Sequence, residues 1–207
     1  SEMNSNKALV GLLKQSGAIR SPRVEAAFSA VDRSFFVSSS PYADKALPVL
    51  PGVTISQPSV VAEMLELLDV RRGQNVLDVG SGSGYTAALL ATLVAVRGRV
   101  HSIDVNANAL VLAEKNIANL AKAGVKNVFF KHASGWGGVE GKKFDRILVS
   151  AAAESIPEKL VDSLVEGGKM VLPLGSHPQE IVLVEKKKDG VQVSGSGIGV
   201  VFLRLVK

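Results

Sequence analysis

Asn75-Val-Leu-Asp-Val-Gly-Ser-Gly-Ser-Gly-Tyr85 sets an acid, Asp78, directly ahead of glycines at 80, 82 and 84. The run before it is short and apolar and the run after it is helical, so the glycines fall on a strand-to-helix turn. Glycine lets the backbone turn tightly and lets a ligand approach it closely. The spacing is G-x-G-x-G rather than the G-x-G-x-x-G of dinucleotide binders, and a carboxylate in front of it would repel a diphosphate. A ligand with an ammonium group and a sulfonium, such as S-adenosyl-L-methionine, would be attracted. Asp104 ends the next strand, 24 residues past Gly80 (104 − 80), where an acid can grip ribose hydroxyls. A packing turn and a helix-capping acid would explain either feature alone. Together they favour a cofactor, with Asp78, Val79, Gly80, Ser81, Gly82, Ser83, Gly84, Asp104 and Val105 as candidate contacts.

Two further segments carry chemistry. Thr54-Ile55-Ser56-Gln57-Pro58 lies between a proline-rich stretch and a helix. Taken alone, Ser56 or Gln57 reads best as an N-cap. Phe144-Asp-Arg-Ile-Leu-Val-Ser-Ala-Ala-Ala-Glu-Ser-Ile-Pro157 puts a small-residue turn, Ser150 to Ala153, at the carboxyl end of an apolar strand. Open α/β sheets bind ligands there. Small side chains at that place suit close packing, a flat adenosine or a peptide backbone.

The elements that must position these segments read clearly in part. Ser5 caps a helix over 6–15, and Ser21-Pro22 opens another through Val31. From Asp32 to Gln57 the periodicity disappears and prolines accumulate, which predicts a long connecting loop of the functional kind. Pro58 starts a third helix. Strands are expected at 75–79, 99–104, 127–131, 144–150 and 169–174, and helices at 85–96, 107–123 and 157–164. Gly167-Gly168 reads as the end of the last helix. Runs at 181–185 and 191–193 flank Lys186-Lys187-Lys188-Asp189-Gly190 as a hairpin with a charged turn, and 200–206 reads as a final strand. The pattern predicts an α/β fold: a doubly wound, mostly parallel sheet with a C-terminal antiparallel edge. Residues 1–70 form a helical, acceptor-loop extension and 71–207 the cofactor-binding core of a single domain.

Composition narrows the functional classes. At 207 residues, 46% hydrophobic and 21% charged, the chain buries a real core and is not disordered. With no cysteine, a disulfide scaffold, a thiolate metal site and a cysteine nucleophile are excluded. The 24 basic and 19 acidic residues give +5, but the basic residues are scattered and no polar aromatic lies in a basic stretch, so no nucleic-acid partner is expected. The longest uncharged run, Val79 to Val96, is too short in its apolar part to span a bilayer. With no charged-then-apolar leader, a cytoplasmic protein without membrane association is the expectation. Ser1 and Glu2 ahead of Met3 carry no weight.

These residues resemble the protein-L-isoaspartate (D-aspartate) O-methyltransferase family, class I, Rossmann-like enzymes dependent on S-adenosyl-L-methionine. The likeness runs through Ser5-Asn6, Val31-Asp-Arg33, Tyr42-Ala-Asp44, Thr54-Ile-Ser-Gln-Pro58 and Leu77-Asp-Val-Gly-Ser-Gly-Ser-Gly-Tyr85. It continues through Phe144-Asp, Ala151-Ala-Ala153, Ile156-Pro157, Glu166-Gly-Gly168 and Leu172-Pro-Leu-Gly175, and fades near Val201-Phe-Leu-Arg-Leu205. The glycine motif marks only the superfamily; T-I-S-x-P with A-A-A-x-x-I-P marks this family.

The resemblance implies methyl esterification of L-isoaspartyl and D-aspartyl residues in damaged proteins and peptides, with S-adenosyl-L-homocysteine as product. The ester then closes to a succinimide without further catalysis. An acceptor carboxylate is already ionised at neutral pH, so no general base is required. The resemblance assigns Ser56 to holding the acceptor at the methyl group. Thr54, Ile55, Gln57, Pro58, Ser59, Ala151 and Ala152 bind substrate with it, Ala133 and Ser134 lie beside the adenine, no metal takes part, and the protein acts as a monomer. This chain departs from the family at Ala133-Ser134-Gly135, where G-D-G is usual, and at Ser59, where many members have histidine. Another class I methyltransferase, for a small molecule or RNA, and a non-catalytic adaptor of the same fold are the competing readings.

Overall fold

The computed structural model describes residues 4–207; the reading of Ser1 to Met3 lies outside the described residues. Helix α1 (Asn6–Gln15) starts where Ser5 accepts a bond from the Ala8 amide, and its Leu9, Val10 and Leu13 are buried. Helix α2 (Pro22–Ala30) has Ser21 as its cap and proline at its first position, where the missing amide hydrogen costs nothing. Buried Asn6 ties α1 to the end of α2 and the turn after it: its Nδ2 donates to Phe28 O at 2.8 Å and its Oδ1 accepts from the Arg33 amide at 3.3 Å.

The stretch 32–57, expected as a loop, holds more order than that. A 3-10 turn covers Arg33–Phe35, and strands β1 (Leu47–Leu50) and β2 (Val53–Ile55) pair as an antiparallel hairpin with a register irregularity between Pro48 and Leu50. Pro48 and Pro51 hid the hairpin. Proline is compatible with a two-stranded ribbon because both strands are edges, and Gly52, at φ +71°, closes the turn.

Helix α3 (Pro58–Leu68) leads to the sheet, made of β3 (Asn75–Val79), β4 (Arg99–Asp104), β5 (Val128–His132), β6 (Phe144–Val149), β7 (Leu164–Leu174), β8 (Gln179–Lys187) and β9 (Gly190–Val200). Between them run α4 (Tyr85–Val94), α5 (Ala107–Leu120) and α6 (Glu158–Asp162). The order is β5-β4-β3-β6-β7-β8-β9. The first five are parallel, and β8 and β9 are added antiparallel, as expected. Alternation along each strand divides the core. Val76, Val100, Leu148 and Val171 join the helices α1 to α5 on one face; Leu77, Ile103, Ile147 and Met170 join α6 on the other. Helix α4 is apolar nearly all round, with Ala87, Ala88 and Ala91 buried as well as its leucines. It lies between the sheet and α2, and the small residues let both neighbours come close.

Strands β8 and β9 run longer than the sequence reading and helices α4, α5 and α6 shorter, and two further differences bear on the site. Strand β7 begins at Leu164, so Gly167-Gly168 lies inside it rather than at a helix end. Phe144 pairs with Leu164 but Arg146 pairs with Lys169, so β7 bulges opposite Asp145. A side chain at Gly168 would come within 2.8 Å of Val165 O. A glycine pair in a bulge and one at a helix end look alike in sequence. The run 200–206 is also not a strand: past Val200 it forms one isolated bridge, Arg204 with Ala152 beyond the end of β6, and its apolar residues cover a crevice at the carboxyl ends of the strands instead.

Candidate functional site

The chain steps outward from β3 to β4 to β5, and β6 then returns to the other side of β3. Crossovers leave in opposite directions at that point, and the loops after β3 and β6 part to form a crevice. A cavity of about 750 Å³ opens there, within the range of small-molecule sites. Its floor is the glycine turn. Gly80, Gly82 and Gly84 have φ of +99°, +50° and +88°, values that side chains strain to adopt. The Gly80 and Ser81 amides both donate to Ile103 O, at 2.8 and 3.1 Å. Val79, Gly80, Ser81, Gly82 and Ser83 line the cavity. Gly84 does not: an added Cβ would meet the Ala113 backbone at 3.2 Å, so this glycine lets α5 pack against α4.

Asp78 is placed differently from what its charge suggested. It pairs in register with Ser102, both face the helical side of the sheet, and both are fully buried. Ser102 Oγ donates to Asp78 Oδ2 at 2.7 Å and lies 2.6 Å from Ser81 Oγ, while Asp78 Oδ1 has no partner. Burial, with a smaller push from Asp104, raises the Asp78 carboxyl to about 7 against the opposing effect of the Ser102 bond. The acid thus anchors the turn from behind through two hydroxyls. Asp104 is the carboxylate at the cavity wall, with Val105 and Asn106 beside it. Its Oδ2 accepts from the Gly82 amide at 3.1 Å and its Oδ1 from the Asn106 amide at 2.8 Å. The cap of α5 is Asn106, which accepts from the Asn108 and Ala109 amides.

Opposite the glycine turn stand Thr54, Ile55, Ser56 and Gln57, delivered by the hairpin. The N-cap reading of Ser56 and Gln57 does not hold here, because neither side chain caps α3. Asp44 does so from 15 residues away in the chain, accepting the Ser59 amide at 2.8 Å. Ser56 is left half-buried at the cavity. Pro58 and Ser59 begin α3 behind it and are not part of the lining.

Arg33 and Tyr85 support this wall, and the sequence reading gave neither a role. Arg33 is wholly buried, with its guanidinium carbon 5.1 Å from the centre of the Tyr85 ring and Nη2 donating to Lys45 O at 3.2 Å. Its Nε and Nη1 and the Tyr85 hydroxyl have no partner. Burial lowers the Arg33 proton affinity, opposed by Tyr85 and Asp44, and burial raises that of Tyr85. Asp32, next in the chain, accepts from Tyr42 Oη at 3.0 Å. Val31-Asp-Arg33 and Tyr42-Ala-Asp44, which entered only as part of the resemblance, were the available signal.

The third wall is Ser150 and Ala151 with the C-terminal run. Residues 200–206 cross the crevice, held where the Ala152 amide donates to Leu203 O at 2.7 Å and Phe202 donates its amide to Gln179 Oε1 at 2.8 Å. Ala152 is therefore a tether, not lining. Ser134 is another: its hydroxyl donates to Val206 O at 2.8 Å and accepts from the Trp136 amide at 3.2 Å. Ala133 and Gly135 line the cavity and Ser134 does not.

Comparison with known proteins matches the family model for protein-L-isoaspartate(D-aspartate) O-methyltransferase over residues 4–207. The chain belongs to this family. A protein-L-isoaspartate O-methyltransferase of Pyrococcus horikoshii is 41% identical over 97% of this chain and 92% of its own length. One from Methanopyrus kandleri is 45% identical over 90% of this chain and 84% of its own. A Plasmodium falciparum protein-L-isoaspartate O-methyltransferase, solved in complex with S-adenosyl-L-homocysteine, superposes with a TM-score of 0.90 at 30% identity. The match covers 99% of this chain and all of that one.

The cavity fits the S-adenosyl-L-methionine on which this family depends. Each Asp104 oxygen receives one backbone donor, which leaves acceptor capacity for ribose hydroxyls. Val79, Ile103, Val105, Ala133 and Leu205 supply apolar surface beside it, suited to a flat purine.

Proposed function

We propose that this chain methylates the free carboxylate of L-isoaspartyl, and D-aspartyl, residues in damaged proteins and peptides, using S-adenosyl-L-methionine. The observation that carries the reading is the meeting of two segments. A Cβ added to Gly82 of the cofactor turn would lie 3.5 Å from Thr54 O of the acceptor segment. A methyl donor on one and a carboxylate acceptor on the other would thus be neighbours in one cavity.

The cofactor supplies an electrophilic methyl group on a sulfonium. The acceptor carboxylate is ionised at neutral pH, so the chain need not take a proton. None of its three histidines lines the cavity: the nearest in the chain to a lining residue, His132 and His177, stand beside Ala133 and Pro178, with His132 Nε2 2.8 Å from Val105 O, and His101 lies within β4. What the residues contribute is placement. Asp104 and the glycine turn hold one reactant, Ser56 with the Thr54 to Gln57 backbone holds the other, and the run 200–206 excludes water. Oriented proximity of this kind supplies about 7–11 kcal/mol. Among the described residues no helix is long and apolar enough to cross a membrane. The reading takes a cytoplasmic monomer whose partners are isoaspartyl peptides and proteins.

Ser56→Ala separates this role from a structural one. Among the described residues the hydroxyl makes no cap bond to α3, which is capped by Asp44 instead, so the melting temperature should stay within about a degree, as for substitutions away from any cap. Methyl transfer to an isoaspartyl peptide should fall by about tenfold or more, the worth of a bond to a charged group, while cofactor affinity measured by calorimetry holds. A variant that loses stability and keeps its turnover would remove Ser56 from the acceptor site.

A further inference from the structure

A second cavity, of about 430 Å³, lies at the opposite end of the sheet, beside the amino ends of β3, β4 and β6. Arg97 enters it from the turn before β4, Arg99 and His101 from β4 itself, and Lys142 and Lys143 from the turn before β6. Its lining holds no carboxylate. Asp145, the acid at this end of β6, is engaged by the Asn75 amide at 2.8 Å.

Some cations elsewhere in the molecule are answered by carboxylates. Asp69 gathers Arg23, Arg71 and Lys169, and Arg20 is paired with Glu63. Among the described residues Arg97, Arg99 and Lys142 have no ion-pair partner, and Lys143 Nζ donates only to the Asp162 carbonyl. Like charges converging on a concave surface focus a positive potential into it, an arrangement that costs stability unless an anion answers it. Asn75 lines the same cavity and ties its two sides together, its Nδ2 donating to Lys143 O at 2.9 Å. The His101 ring is wedged between Phe129 and Phe144, 5.6 Å from each. Burial, then Lys142 and Arg99, lower its proton affinity.

We propose that this cavity binds a phosphate-bearing small anion, either inorganic pyrophosphate or the phosphate chain of a nucleotide, at a site separate from methyl transfer. Cations approaching from three segments match an anion with oxygens pointing in several directions, and arginine offers paired donors to such oxygens. The volume suits a nucleotide-sized ligand. Phe129, 49% exposed beside His101, offers a face on which a base could stack.

The test uses the full chain and its histidine ring resonances, titrated with pyrophosphate and, separately, ATP at constant ionic strength. Binding should shift His101 saturably and raise its proton affinity by about tenfold, as a nearby anion does, with His132 and His177 unmoved. The double variant Arg99→Gln, Lys142→Gln should weaken binding by at least about tenfold, in line with two lost charged contacts, while melting temperature and methyl transfer are retained. ATP binding more tightly than pyrophosphate identifies a nucleotide as the ligand; equal affinities identify the free phosphate. The proposal is overturned if neither anion gives a saturable His101 shift or if all three histidines move together. An undiminished response in the double variant overturns it too. So does saturable binding of an RNA oligonucleotide with no response to either small anion, which would make this face a nucleic-acid surface.

Discussion

Asp78→Asn will make the protein more stable at pH 8 than the parent and will flatten the fall in its stability between about pH 4 and pH 7. The Asp78 carboxyl stands at about 7 in the folded chain against an ordinary 3.8, so over that interval the folded state holds a proton that the unfolded state has released. Stability from this group is therefore complete below about pH 4 and is lost as pH rises through about 7. Each tenfold change in proton affinity is worth about 1.4 kcal/mol, which makes the loss on the order of 4 kcal/mol. Asparagine keeps an oxygen for Ser102 and carries no charge to bury. Denaturant unfolding of parent and variant at pH 5 and pH 8 measures the difference directly, and terms common to both chains, such as His101, cancel. Parallel pH dependences would show that Asp78 is ionised at no cost in the fold.

Asp104→Ala will weaken S-adenosyl-L-methionine by about tenfold to a hundredfold, because two ribose hydroxyls lose a charged acceptor at about 1.5–3 kcal/mol each, offset in part by water. The same carboxylate also clasps the Gly82 and Asn106 amides, so a smaller part of the loss comes from a looser glycine turn. Helix α5 keeps its own cap at Asn106, and unfolding free energy without ligand should change by less than the binding free energy does. Calorimetric titration with the cofactor gives one number and chemical denaturation the other. Unchanged affinity would reduce Asp104 to a clasp on the turn.

Local chemistry was readable wherever a residue acts on its own neighbours. Ser5, Ser21 and Pro58 marked helix starts, and the alternation of strands and helices past Asn75 carried the sheet and its antiparallel edge. Asp104 was found because strand ends at a switch point have a fixed relation to the crevice. The misses around the site share a cause: contacts between residues far apart in sequence. Asp44 caps α3 in place of Ser56 or Gln57, and no local pattern shows that. Period-2 alternation puts Asp78 and Ser102 on the helical face together, a fact available only once the register is known. Ser134, where the family has an acid, spends its hydroxyl on Val206 O, 72 residues away; a carboxylate there would face that carbonyl with no proton to offer. Arg33, to which the sequence assigns no role, is buried over Tyr85. The run 200–206 has the composition of a strand, yet its apolar side chains close the cavity.

Labelled methyl transfer from S-adenosyl-L-methionine to a matched pair of peptides, one isoaspartyl and one aspartyl, tests the central claim most directly. In the proposed reading the Thr54 to Gln57 segment holds the acceptor backbone, so moving the carboxylate by one methylene would take it out of line with the methyl. A misplacement of about 1 Å is enough to lower rates on the order of a hundredfold. The account predicts rapid labelling of the isoaspartyl peptide and labelling of the aspartyl peptide about a hundredfold slower. Equal labelling of the two, or labelling of neither by a chain that binds the cofactor, would contradict it.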